Sequence, residues 1–129
     1  MVRSKLYLSL FFIICTACTN NNQKTVIKGK GPENNFQDIK KEIKIRVTTS
    51  NRDSLMILKE ELDSLIGLDR FANDGFFYYQ RGECYARLEK FAESTIDFKN
   101  ALKRGYEKES CLHLIHLNNE LQKIKDRYK

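Results

Sequence analysis

The stretch from Gly75 to Lys108, GFFYYQRGECYARLEKFAESTIDFKNALKRGYEK, limits the fold more than any other part of the chain. Tyr78, Arg81, Gly82 and Tyr85 recur at i, i+3, i+4 and i+7, one face of a helix, and predict a helix over about Phe76–Leu88. Phe91, Ser94, Thr95, Phe98, Ala101 and Leu102 repeat that rhythm and predict a second helix over about Phe91–Arg104. Gly82 falls in the middle of the first helix, where it costs about 1 kcal/mol against Ala. Such a cost is accepted where another backbone comes too close for a side chain. Gly82 is therefore expected to face the second helix near Ser94 or Phe98.

These residues resemble a tetratricopeptide repeat, the helix-turn-helix unit of about 34 residues with the signature W-x2-L-G-x2-Y, A-x3-F and P. Tyr78 stands at the first aromatic, Arg81-Gly82 at the L-G pair and Tyr85 at the second aromatic. Phe91 opens the second helix, Ser94 takes the small Ala position, Phe98 is the later Phe and Ala101 the small residue after it. Tyr replaces Trp, and Gly105-Tyr106 stands near where the Pro would close the unit. The resemblance implies helical hairpins stacked so that their first helices line a concave groove. It implies partner contacts from the helix face turned away from the core. On this chain that face offers Phe76, Tyr79, Glu83, Ala86 and Arg87, which makes Phe76, Tyr79, Glu83 and Arg87 the candidate partner-binding residues. An aromatic pair beside a Glu and an Arg suits an extended peptide or a partner helix. The competing reading is a solvated face with one aromatic packed on a neighbouring helix. The Lys and Asn pair with which some family members clamp a terminal carboxylate is not at the matching places.

The amino terminus reads differently. Arg3 and Lys5 precede an apolar run, Leu6 to Ile14, which is too short to span a bilayer, since that takes about 20 residues. Cys15-Thr16-Ala17 then leads to Cys18. This is a signal-peptide pattern over residues 1–17. Small residues directly before a Cys resemble a bacterial lipobox. That resemblance implies cleavage before Cys18, a thioether-linked diacylglycerol on its thiol and an acylated amino terminus, palmitate among the expected chains. An ordinary secretory signal cut after Ala17 and an uncleaved anchor are the alternatives. Several acyl chains, at about 0.8 kcal/mol per buried CH2, would hold the protein stably on a membrane. Residues 18–35 are rich in Asn, Lys and Gly, hold the only proline, Pro32, and show no sustained period. They read as a tether that spans on the order of 20–25 Å as a flexible coil.

Two readings compete over Phe36–Thr49. Phe36, Ile39, Ile43 and Val47 fit a helix that frays toward Thr48-Thr49, whereas Ile43, Ile45 and Val47 alternate as in a strand. The helix is preferred, because a lone strand has no partner in a helical chain. Ser50-Asn51-Arg52-Asp53 has capping-box form, and Leu55, Leu58, Leu62 and Leu65 repeat at three and four toward a stop at Gly67. Asp69–Asp74 reads as a loop, with Asn73 or Asp74 as the cap of the next helix. A last helix over about Glu107–Arg127 carries the stripe Cys111, Leu114, Leu117, Leu121, Ile124 and Tyr128. The expected fold is all-α: a short tetratricopeptide-like array of three to five helices over 36–129, with its best repeat at 75–108.

Little in the chain points to catalysis. No G-x-x-x-x-G-K-[ST], G-x-S-x-G or H-E-x-x-H occurs, so no enzyme, cofactor or small-molecule substrate is expected. His113 and His116 lie one helical turn apart, but Cys111 is about 200 degrees round the helix from His113, so the three cannot converge on a metal. Cys84 and Cys111 fall on apolar faces and read as buried thiols, a disulfide remaining open if their Cα atoms lie within about 7 Å. The formal charge is +6, and without Arg3 and Lys5 the chain keeps 21 basic against 17 acidic side chains. That excess is scattered, which suits a solvated surface near anionic lipid rather than nucleic acid. The expected function is protein–protein interaction in the bacterial cell envelope, by a lipoprotein facing the periplasm and partnered by another envelope protein or peptide. The alternative is a periplasmic immunity-type protein that binds and blocks a toxin.

Overall fold

Six helices make up residues 32–129, the part of the chain that the computed structural model describes. They are α1 (Pro32–Thr49), α2 (Arg52–Ile66), the single turn α3 (Asp69–Ala72), α4 (Gly75–Arg87), α5 (Phe91–Lys103) and α6 (Lys108–Arg127). No strand occurs among the described residues, so the all-α expectation holds, with six helices, the single turn α3 included, where three to five were expected. The expected signal peptide, Cys18 and the expected tether as far as residue 31 lie outside the described residues. The helical part begins earlier than expected, with α1 starting at Pro32 rather than after residue 35. Proline suits the first helical position, where its missing N–H would have had no helical partner.

The helical period governs α1. Ile43 and Val47, four residues apart, are buried, while Ile45 between them is 52% exposed. The alternating reading fails because the neighbours are helices, which offer no sheet edge. The helix also runs to Thr49 without fraying. Thr48 and Thr49 both donate their hydroxyls to the Ile45 carbonyl, at 2.8 and 2.9 Å, which ties down the last turn. In α2 the cap is Asn51, not Ser50: its side chain accepts the Ser54 N–H at 2.9 Å. Leu55, Leu58, Leu62 and Leu65 are all buried, and Gly67 ends the helix in ordinary right-handed geometry.

Asp69–Ala72 is a helical turn rather than a loop. Phe71 anchors it, buried and stacked on Phe36 at 5.6 Å between ring centroids and tilted against Phe77 at 4.9 Å. Asp74 caps α4 by accepting the Phe76 N–H at 3.0 Å. The ends of α4 and α5 share one motif. Lys90 donates its N–H to the Tyr85 carbonyl and Tyr106 to that of Ala101, with Glu89 and Gly105 in the left-handed conformation at φ 59° and 73°. The motif normally takes glycine there, and only the second end has one.

α4 is the central element. Its core face is wider than the expected stripe, because Phe76, Phe77, Gln80 and Cys84 are buried together with Tyr78 and Gly82. On one side Phe76, Phe77, Cys84 and Leu88 join Ile43, Val47, Leu55, Leu58, Leu62, Leu65 and Phe71 in a large apolar cluster. On the other, Tyr78 joins Phe98, Ala101 and Cys111, with Leu114 and Ile115 packed alongside. Gly82 lies against α5 as expected: a Cβ there would stand 3.0 Å from the Phe98 ring and 3.3 Å from Asp97 Cβ. Ser94 uses this close approach to donate its hydroxyl to the Gly82 carbonyl at 2.7 Å, and it accepts from Asn118 of α6 at 2.8 Å. Beside that bridge, Arg81 makes two bonds of 2.7 Å to the buried Asp97 and one of 2.8 Å to Asp63 of α2.

The stripe of α6 is only partly covered. Cys111 and Asn118 are buried and Leu114 and Leu121 half-buried, but Leu117, Ile124 and Tyr128 face outward. The polar Asn118, which the apolar pattern passed over, is the deepest contact in the middle of that helix.

Candidate functional site

A groove of about 270 Å³ opens over the face of α4 between α1 and the start of α6, and Tyr79 on its floor also packs edge-on against Phe98 of α5 at 5.3 Å. Lys44, Val47 and Thr48 of α1 form one wall and Tyr79, Gln80 and Glu83 of α4 the floor. Tyr106 and Glu107, from the connection after α5, and Ser110 of α6 form the other wall. Each side chain is there for a local reason. Lys44 and Thr48 are the polar neighbours of the core residues Ile43 and Val47, so burying that pair turns them to the groove edge. Tyr79 and Glu83 are one turn apart on α4. Tyr106 follows the left-handed Gly105, and its ring packs on Tyr79 at 5.3 Å and on Phe76 at 5.8 Å.

Two of the four expected partner-binding residues line this groove and two do not. Tyr79 and Glu83 do, both half-buried. Phe76 is only 4% exposed and belongs to the apolar cluster, edge-on to Phe77, with the Lys40 ammonium 5.1 Å from its ring centre. It follows the cap Asp74 so closely that its side chain points under α1 instead of out to solvent. Arg87 is committed elsewhere. Its guanidinium donates to the Val47 and Ser50 carbonyls, at the end of α1, where carbonyls have no helical donor. It therefore fastens α1 to α4. Lys44, Thr48, Tyr106, Glu107 and Ser110 were not singled out by the sequence. Lys44 and Thr48 were visible as a polar pair beside a buried pair, but nothing in the spacing said which helix they would face.

Tyr79, Glu83 and Tyr106, titratable groups of the groove, are all shifted upward by burial. Burial, then the neighbouring Glu83 carboxylate, pushes the Tyr79 phenol up to about 12, so it keeps its proton and remains a donor. Burial also raises the Glu83 carboxyl, offset in part by the Tyr79 hydroxyl and the Arg87 guanidinium. Tyr106 is raised as well, by burial first and then by Glu107. The groove thus offers the Tyr79 and Tyr106 hydroxyls as donors and the Glu83 carboxyl as acceptor, with the Lys44 ammonium at the edge. Such groups can satisfy the backbone and side chains of a peptide.

The other chemical candidates lie away from the groove. Cys84 and Cys111 are both free and buried, so the disulfide is not formed. They belong to the two separate clusters flanking α4. Burial pushes the Cys84 thiol up to about 12 and raises Cys111 too, and Cys111 Sγ donates to the Tyr106 carbonyl at 3.2 Å. Neither is a ready nucleophile. His113 and His116 are exposed or nearly so while Cys111 points inward, so the three diverge as their helical angles require. No helix among the described residues is long and apolar enough to cross a membrane.

Comparison with known proteins adds no relative. No family model matches the sequence, no curated protein matches it and no solved structure matches its fold.

Proposed function

We propose that this chain is a lipid-anchored bacterial envelope protein whose helices form a tetratricopeptide-like array. We further propose that the array holds an extended peptide or a helix of another envelope protein in the groove over α4. The order of packing supports the array. α4 and α5 pack on each other through Gly82, α1 and α2 both pack on α4, and α6 packs on α5. One observation carries the binding role. The groove runs along α1, α4 and the start of α6, the row of helices that the resemblance assigns to the inner surface, and its lining is aromatic and polar rather than filled.

Two experiments test this reading. For the anchor, labelled fatty acid should enter the full chain and not Cys18→Ser, and equal labelling of both would remove the lipoprotein. For the groove, the double variant Lys44→Glu, Thr48→Arg replaces exposed side chains and keeps the Thr49 hydroxyl on the Ile45 carbonyl, so circular dichroism and melting should stay near wild type. It should lose the partner that the wild-type chain captures from envelope extracts. Unchanged capture would move the binding surface elsewhere. Capture of a secreted toxin in place of a resident envelope protein would favour the immunity role.

A further inference from the structure

We infer that α6 pairs with α6 of a second copy of this chain, antiparallel, through the part of its apolar stripe that the fold leaves open. Leu114, Leu117, Leu121, Ile124 and Tyr128 follow at 3, 4, 3 and 4 residues, the spacing of a two-helix seam rather than of a helix resting on one neighbour. α5 covers only one edge of it. Leu117 is 42%, Ile124 47% and Tyr128 87% exposed, while Leu114 and Leu121 are half-buried. The stripe spans about 21 Å of helix.

The charges beside the seam say what covers it. On the α5 side Asn118 is buried on Ser94, and Lys125 turns back to the Glu89 carbonyl at 2.7 Å. The solvent side carries the charges that can meet another chain: Glu120, held by nothing deeper than the exposed Lys123 at 2.8 Å, and Arg127. They are seven residues apart, both at the partner's flank of the seam. Consider two copies antiparallel about an axis between residues 122 and 123. Leu121 then meets Ile124 and Leu117 meets Tyr128, each twice, and Glu120 faces Arg127 twice. The face is thus self-complementary, as a two-fold interface must be. A parallel pair would instead stack Tyr128 on itself and set Glu120 against Lys125, which is already engaged. The surface is small for a stable dimer, so pairing should be weak, in the range of about 10–100 micromolar. Anchoring both copies on one membrane would raise their effective concentration.

Sedimentation of the full chain in detergent should show a monomer–dimer equilibrium. Glu120→Arg and Arg127→Glu should each weaken it about tenfold, because each reverses two pairs. The chain carrying both exchanges should recover wild-type association. A mixture of the two single variants should associate more tightly than either alone, since every facing pair is then opposite in sign. Leu117→Glu with Ile124→Glu should leave only monomer with unchanged circular dichroism. A wild-type chain that stays monomeric to millimolar concentration overturns the inference. So does a dimer indifferent to these exchanges, or one in which the mixed variants gain nothing.

Discussion

The two sides of α4 are held by different chemistry. Toward α1 and α2 the contact is apolar, Leu55, Leu58, Leu62, Phe71, Phe77 and Leu88 among them, with ion pairs such as Arg46–Glu61 only at its edge. Toward α5 and α6 the buried contact is built around Gly82, and among the apolar Tyr78, Phe98, Ala101 and Cys111 it takes in polar groups: Ser94, Asp97 and Asn118 are each 2% exposed or less. An apolar wall tolerates a side-chain swap that keeps its volume. A buried polar seam has one partner for each group, so losing a partner strands the other. The first side is therefore expected to tolerate volume-keeping apolar substitution and the second to resist any change that removes one partner. The second is also the side that fixes how α5 and α6 lie beside α4.

The largest effect is expected at the ionic part of the polar seam. Burial works against the Arg81 charge, but its bonds to Asp97 and Asp63 outweigh that and hold its pKa above the usual value. Arg81→Met leaves Asp97 buried without its cation and should cost about 3–5 kcal/mol in denaturant unfolding. Adding Asp97→Leu should recover more than half of the loss, because an apolar pair replaces an ion pair better than a stranded charge does. Without that recovery, the seam would be no different from the apolar side. On the apolar side Leu62→Ala should cost about 2–5 kcal/mol. Leu62→Met should cost less than about 1.5 kcal/mol, since volume is kept. A large loss for both would erase the contrast.

A smaller effect is expected at the close approach. Gly82→Leu overpacks the contact with Phe98 and should lower stability by about 1–3 kcal/mol in the same assay. A neutral result would mean that α4 and α5 do not meet there. The smallest effect is a pH dependence on the groove face. Burial raises the Glu83 carboxyl above its ordinary range, so the folded chain holds that proton where the unfolded chain has lost it. Stability must then fall as pH rises from the ordinary carboxyl pKa through the raised one. Glu83→Gln should flatten the part of the slope that lies above the ordinary carboxyl pKa of about 4, compared with wild type by urea midpoint.

Much of this contrast could be read before folding, and the limit lies in what periodicity encodes. The Leu55–Leu65 stripe and the bounds of α4 and α5 follow from spacing alone, because an apolar face needs no named partner. Gly82 announced its neighbour, since a glycine inside a helix is costly unless a packed ring or backbone needs the space. Arg81 and Asp97 are 16 residues apart on different helices, and nothing local pairs them. Phe76 looked free because helical spacing shows which residues share a face, but not how many neighbours a central helix will have. Arg87 looked free for the same reason: its acceptors are backbone carbonyls of Val47 and Ser50, which no side-chain pattern displays. The groove was legible only as Tyr79 and Glu83. Its walls come from α1 and from the turn after α5, elements brought together by packing.

The proposed binding role puts the partner on the groove side of α4 and not on the outer face of α2. A photoreactive side chain at Thr48, on the groove wall, tests it against one at Ile57, which is 59% exposed on α2 and lines no part of the groove. In cells, light should give a discrete adduct with an envelope protein from position 48 and none from position 57. An adduct from position 57 alone, or the same adduct from both, would contradict the account.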